Sequence, residues 1–249
     1  MDYETLSNCF VGVFQHYKNE TRKVFIVHRL QNDFKKLVEF LLDNVKKEEW
    51  HISYNGLAFD SQITQYIILK HEKLSEMPAE KIAQELYKKA QKIIERQDGK
   101  EFLEYPEREL SISQIDLFKL NHWDNPAKRS SLKWIQFSMD WHNLLDMPIH
   151  HSTWIETKEQ LDVIVQYCIN DVRSTKEIYD KSKEQIALRA ALTKEYDINL
   201  YSASEPKISR ELFLHFLAKV MPMRKYDIRQ LRTKRSEIVI GDIILDYIA

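Results

Sequence analysis

Apolar residues change their spacing repeatedly along the first two thirds of the chain. The runs Cys9-Phe10-Val11-Gly12-Val13-Phe14 and Val24-Phe25-Ile26-Val27 are dense in strand-forming residues, and the polar stretch from His16 to Arg22 predicts a turn between them. From Asn32 to Lys47 the spacing turns helical, with Phe34, Leu37, Val38, Leu41 and Leu42 on one face. Trp50 to Tyr54 reads as a short strand, Asn55-Gly56 as a turn, and Phe59 to Leu69 as a helix. Ala79 to Arg96 is a charged amphipathic helix closed by Asp98-Gly99. Its narrow stripe of Ile82, Leu86, Ala90 and Ile93 predicts a surface insertion.

Ile112 to Leu117 is a further strand, and Ser130 to Met139 a helix capped by Ser130 or Ser131. The longest helical pattern runs from Thr157 to about Arg189, with Leu161, Ile164, Val165, Cys168, Val172 and Thr175 as its buried stripe. This order predicts a mixed α/β layer with helices packed on a sheet. The character shifts from Leu192 onward. Ser204-Glu205-Pro206 opens a helix to about Val220, Met221-Pro222 stops it, and six basic residues crowd between Arg224 and Arg235. Ile238 to Ile248 ends the chain on an apolar, strand-like pattern with no obvious partner.

Bulk numbers narrow the function classes. A chain of 249 residues, 43% hydrophobic, can bury one substantial core and perhaps a smaller appendage. Net charge is −1, from 37 basic and 38 acidic residues, so no global field draws in nucleic acid and any attraction for phosphate must be local or cation-borne. Four glycines and six prolines fit an ordered, helix-rich chain. Cys9 and Cys168 have neither zinc spacing nor a disulfide framework, which points to a reducing, intracellular setting. No apolar run is long enough to span a bilayer, so no membrane partner is expected.

Three short patterns carry candidate chemistry. Asp2-Tyr3-Glu4 puts two carboxylates on one face of a strand, as two ligands of a shared metal require, although an N-terminal acidic pair is commonly just solvated. Asn55-Gly56-Leu57-Ala58-Phe59-Asp60 joins a strand to a helix and sets Asp60 in the first helical turn, where backbone amides favour a carboxylate; a simple helix cap fits equally. Tyr167 and Asp171, four apart on the long helix, share a face. Each pattern occurs once.

Taken together, and in this order, the three resemble the exonuclease module of family B DNA polymerases, the DnaQ-like (DEDD) branch with tyrosine in its third motif. The intervals between them are most similar to those of protein-primed phage enzymes. The resemblance covers roughly residues 1 to 185. It implies an RNase H-like mixed sheet flanked by helices over 1–190, and a helical C-terminal extension over 191–249 leading toward a palm domain. It implies 3′–5′ hydrolysis of single-stranded or frayed DNA ends, in proofreading beside a polymerase domain of the full-length chain, in the cytoplasm (a host cell's, if the source is viral).

Carried over by position, Asp2, Glu4 and Asp171 would hold one divalent ion, Mg²⁺ or Mn²⁺. Asp2 and Asp60 would hold a second, about 3.5–4 Å away. Tyr167 would orient the attacking water, and Thr5, Leu6, Asn55 and Phe59 would hold the terminal nucleotides.

The chain also departs from the pattern. Family members have an apolar strand running into Asp-x-Glu, whereas Met1 alone precedes Asp2 here, which points to a trimmed chain or a short first strand. Relatives carry a lysine between the second and third motifs; Lys133 is its nearest counterpart, while a surface lysine on an amphipathic helix is the simpler account. Palm signatures are lacking, so no polymerase activity is expected. Asp116 ends a strand and either approaches the metal cluster or, the simpler account, makes a hydrogen bond beside the site. His122, His150 and His151 lack acidic or thiol partners at zinc-ligand spacing. The basic stretch from Arg224 to Arg235, with Tyr226 interleaved, fits a phosphate track or a solvated helix face equally. A stand-alone DNA or RNA exonuclease and a non-catalytic nucleic-acid-binding module on the same fold are the competing functions.

Overall fold

The computed structural model describes residues 1–121 and 130–230. The chain divides into two compact units, Met1–Pro206 and Lys207–Ala249. The first is a mixed α/β unit. Strands β1 (Asp2–Leu6), β2 (Cys9–Gln15), β3 (Arg22–His28) and β4 (Gln31–Asn32) form an antiparallel meander in sequence order. Asp2 lies opposite Val13 and Leu6 opposite Cys9, so Ser7 and Asn8 make a two-residue hairpin turn. Strands β5 (Trp50–Ser53) and β6 (Ser113–Asp116) form a separate parallel pair, with Ser53 opposite Asp116. The two sheets meet where the Met1 nitrogen donates to the Ile52 carbonyl at 2.8 Å.

Helices cover both faces of the meander, as buried strands require. On one face lie α1 (Phe34–Lys46), α2 (Asp60–Ser75) and α3 (Ala79–Asp98), enclosing Tyr3, Phe10, Phe14, Phe25 and Val27. The other face packs Leu6, Cys9, Val11 and Val13 against Leu161, Ile164, Cys168 and Val172 of α6 (Lys158–Lys181). A third cluster joins Ile115 to α4 (Leu117–Asn121), α5 (Leu132–Ser138) and Ile178.

Two elements differ from what the sequence pattern predicts. Helix α3 is no surface insertion: Ile82, Leu86, Ala90 and Ile93 are buried in the main core against β1–β3. Each large aliphatic side chain so buried contributes roughly 1.5–3 kcal/mol. A narrow stripe is enough because α3 lies directly across β1–β3, with α2 packed against it. The long pattern from Thr157 is also two helices. A capping box opens α6, in which the Gln160 N–H donates to Thr157 Oγ1 (3.3 Å) and the Thr157 N–H to Gln160 Oε1 (3.1 Å). The helix stops at Ser182, and α7 (Lys183–Tyr196) follows. The expected boundary at residue 190 therefore falls inside α7, and Leu200 to Ser204 still belong to the first unit.

In the second unit α8 (Glu205–Val220) runs to its end and α9 (Lys225–Gln230) follows. The strand-like run from Ile238 to Ile248 lies outside the described residues. Among the described residues, no helix is long and apolar enough to cross a membrane.

Candidate functional site

Strand alternation sends Asp2 and Glu4 toward α6 and Tyr3 into the core beneath the opposite face. The Tyr3 ring packs on Phe10 and Phe14, with centroids 5.0 and 5.8 Å away, and its hydroxyl bonds to Thr64 Oγ1 at 2.9 Å. This anchoring fixes the strand between its two acids. The Tyr3 N–H, in turn, donates to Asp60 Oδ1 at 3.1 Å. Asp60 is the first residue of α2, so the strand backbone and the helix N-terminus hold one carboxylate between them. From the far side, Cys168 of α6 donates to Asp2, at 3.5 Å to its carbonyl and 3.6 Å to Oδ2. Ligand atoms of Asp2, Glu4 and Cys168 all lie within 4.8 Å of one another. Asp171 stands one turn further along α6 and acts electrostatically on both Asp2 and Glu4.

Burial and mutual repulsion set the protonation of this group. Burial first, then Asp171, pushes Asp2 up to about 7. Glu4 and Asp60 are raised well above the usual carboxylate range, by burial and then by Asp2. Asp171 is also raised by burial, with Gln136, Lys133 and Tyr167 working in the opposite direction. The same causes hold the Cys168 thiol protonated. Acids from β1, α2 and α6 thus act on one another, Asp60 and Asp171 buried and Asp2 and Glu4 half-buried, and the ionised state is penalised until positive charge enters.

Helix α5 closes the α6 side of the group, and here the sequence misleads. Lys133 does not lie on the solvated face of α5. Its Nζ is buried 4.7 Å from the Tyr167 ring centroid, has no hydrogen-bond partner among the described residues, and acts on Glu4 and Asp171. The exposed face of α5 carries Trp134 and Phe137 instead. Gln136, which no sequence pattern marks, is fully buried and donates to Asp171 Oδ1 (2.9 Å) and Ser174 Oγ (2.7 Å). It shares a helix face with Lys133, three residues before it, but nothing in the sequence marks that face as the buried one. Tyr167 is largely buried, and burial and then Asp171 push its hydroxyl well above the usual phenol range. The Trp141 indole and the Asn143 amide both donate to Asn170 Oδ1, at 3.1 and 3.0 Å, tying the loop after α5 to α6.

The four expected substrate-holding residues divide. Asn55 and Phe59 bracket the turn into α2, both partly exposed. Thr5 is partly exposed on the face of β1 opposite Asp2 and Glu4. Leu6 is fully buried among Cys9, Val11 and Ile164, so its side chain is a core residue and only its backbone is left to meet a ligand. Asp116 makes the hydrogen bonds expected of it beside the site: its carboxylate accepts from the Asn55 N–H at 2.8 Å and the Leu57 N–H at 3.2 Å. Burial raises Asp116 to about 6, against the pull of those amides.

Other candidates stand apart. Among the described residues, no histidine joins a group of three metal-ligating side chains. His150 bonds to Ser152 Oγ at 2.7 Å, and His122 lies outside the described residues. In the basic stretch, Arg224 pairs with Asp227 (2.8 Å) and Arg229 with Glu211 (2.7 Å), while Arg232, Lys234 and Arg235 lie outside the described residues. A cavity of about 530 Å³, walled by Phe14, Phe40, Trp50, His51 and Tyr179, contains none of the four carboxylates.

No protein-family model, curated protein or solved structure matches the chain.

Proposed function

We propose that the chain is a divalent-metal-dependent 3′–5′ exonuclease acting on single-stranded or frayed DNA ends, on an RNase H-like fold of the DnaQ type. The observation that carries this is that Asp2, Glu4, Asp60 and Asp171, from three separate elements, lie close enough to act electrostatically on one another, with Asp60 bonded to the strand between Asp2 and Glu4. Gathering four acids, two buried and two half-buried, is costly for folding, and a metal-binding role accounts for it. The donor set is carboxylate oxygen, which suits Mg²⁺ or Mn²⁺ better than zinc. The thiol of Cys168 is held protonated and serves as a donor to Asp2.

In this account Asp2, Glu4 and Asp171 hold one cation, and Asp2 and Asp60 a second. Bound there, the cations supply neutralising charge for the scissile phosphate and an acidified water. The Tyr167 hydroxyl, on the same face of α6 as Asp171, orients that water. Lys133 brings to the same edge a buried ammonium that has no hydrogen-bond partner among the described residues, suited to a phosphate oxygen. Asn55 and Phe59, with Thr5, receive the terminal nucleotide. Without cations the acids repel a phosphate backbone, so DNA affinity should depend on them. We place the activity in proofreading beside a polymerase.

A single-stranded oligonucleotide labelled at its 5′ end tests this. With Mg²⁺ or Mn²⁺ it should shorten stepwise from the 3′ end; with EDTA, or with a blocked 3′ end, it should stay intact. Absence of digestion under every metal condition, or digestion from the 5′ end, overturns the proposal.

A further inference from the structure

Asp116 is a buried carboxylate outside the four whose hydrogen bonds run to backbone alone, with Lys119 and Asp60 coupled to it only electrostatically. Oδ1 accepts from the Asn55 N–H (2.8 Å) and the Phe118 N–H (3.0 Å), and Oδ2 from the Leu57 N–H (3.2 Å). Two of those donors lie in the turn that leads into Asp60. That turn is strained at Asn55, whose φ of 60° is left-handed, a conformation non-glycine residues adopt at a cost. It is also tight at Gly56, where a Cβ would sit 1.7 Å from Ser53 Oγ. The turn therefore needs external bonds to keep its shape. Gln62 Nε2 holds the Leu57 carbonyl at 3.1 Å and Gln97 Nε2 the Ala58 carbonyl at 2.8 Å. Asp116 is itself fixed: its N–H donates to Ser202 Oγ (3.0 Å), whose hydroxyl donates to the Gln114 carbonyl (3.0 Å).

We propose that Asp116 is a positioning residue that locks the Asn55–Phe59 turn in the shape that grips an unpaired 3′ end. The inference rests on the exonuclease function proposed above. Asn55 and Phe59 stand at the two ends of the turn, so freeing the amides of Asn55 and Leu57 lets their side chains drift relative to Asp60. Binding then suffers more than the chemical step, because Asp116 touches neither the four acids' hydrogen bonds nor the reacting atoms. Asp116→Asn keeps the volume but turns an N–H toward donors, losing at least one of the acceptances.

The test is steady-state digestion of a single-stranded oligonucleotide by the wild-type protein and Asp116→Asn, together with amide hydrogen exchange at Asn55 and Leu57. The expected result is a KM raised about tenfold, with kcat and the Mg²⁺ requirement little changed and both amides exchanging faster. A wild-type KM with only a lower melting temperature makes Asp116 a stability residue and overturns the proposal. A lowered kcat with a raised Mg²⁺ requirement also overturns it, placing Asp116 with the metal-binding acids. Should Asp116→Asn not fold, Ser202→Ala, which frees the Asp116 N–H, carries the test. It is expected to raise KM a few-fold, and an unchanged KM overturns the proposal. Should the wild type not digest DNA, the exonuclease function fails, and fluorescence anisotropy of an oligonucleotide in Ca²⁺ decides the positioning role. Weaker binding by Asp116→Asn supports it; equal binding, or no binding by the wild type, overturns it.

Discussion

Asp60 and Asp171 are buried to nearly the same degree, at 3% and 6% exposure, yet they are held in opposite ways. Asp60 begins α2 and accepts the Tyr3 N–H, so backbone holds it. Asp171 sits inside α6 and is held by the side chains of Gln136, Lys133 and Tyr167. The difference teaches where the site can be tuned. On the β1–α2 flank no truncation of a neighbouring side chain removes the donor to Asp60, because that donor is the Tyr3 backbone N–H. On the α5–α6 flank every supporting group is a side chain, so charge, proton position and water orientation can each be altered without disturbing the strand.

The largest effect should come from the acids themselves, and it should be the same on both flanks. Asp60→Asn and Asp171→Asn preserve shape and remove one ionisable oxygen each, and each should lower exonuclease activity by on the order of a thousandfold or more with the fold intact. Digestion of end-labelled DNA alongside circular dichroism measures this. Full activity in either variant would remove that residue from the assignment.

Next in size are the side-chain supports, where the flanks should part. Tyr167→Phe keeps the ring and removes the hydroxyl, and Lys133→Ala removes the buried ammonium. Each should slow single-turnover digestion by roughly tenfold to a thousandfold with little change in metal affinity. A wild-type rate in Tyr167→Phe would make that residue a packing ring only. A steep rise in the metal requirement would make it part of the metal's surroundings.

The smallest effect concerns stability without metal. Asp2 titrates near 7 in the fold against 3.8 as its ordinary value, and Glu4 and Asp60 are displaced in the same direction. The folded protein therefore holds more protons than the unfolded chain between those limits. The stabilising contribution is full below about pH 4 and is lost as pH rises through about 7. Burial of His51, which lowers its imidazole to about 3, works in the opposite sense up to its ordinary 6.5, so the effect is read above that value: in EDTA the melting temperature should fall from pH 7 to pH 8, and Mg²⁺ or Mn²⁺ should recover the loss at pH 8. A melting temperature that rises across that range in EDTA would contradict the crowding of these acids as a group.

Much of the flank built on backbone was legible in the sequence. Asp-x-Glu on a strand and Asp60 at a helix start depend only on local spacing, and α1, β2 and β5 follow directly from their patterns. The other flank was harder because its contacts cross the fold. Lys133 reads as a surface lysine since lysines are seldom buried, and only the meeting of α5 with α6 draws it inward. Gln136 is invisible for the same reason: a glutamine on a short helix carries no signal of an acid on α6. Helix α3 shows its stripe but not the sheet beneath it. The break at Ser182 has neither proline nor glycine to announce it.

The central claim is that these four acids make one site for divalent cations. Titration of the metal-free protein with Mn²⁺, followed by calorimetry, addresses it most directly. The wild type should bind Mn²⁺ at two sites, Asp60→Asn should lose one of them, and Asp171→Asn should weaken the other. Heats indistinguishable between the wild type and both variants, or no binding by the wild type, would contradict the account.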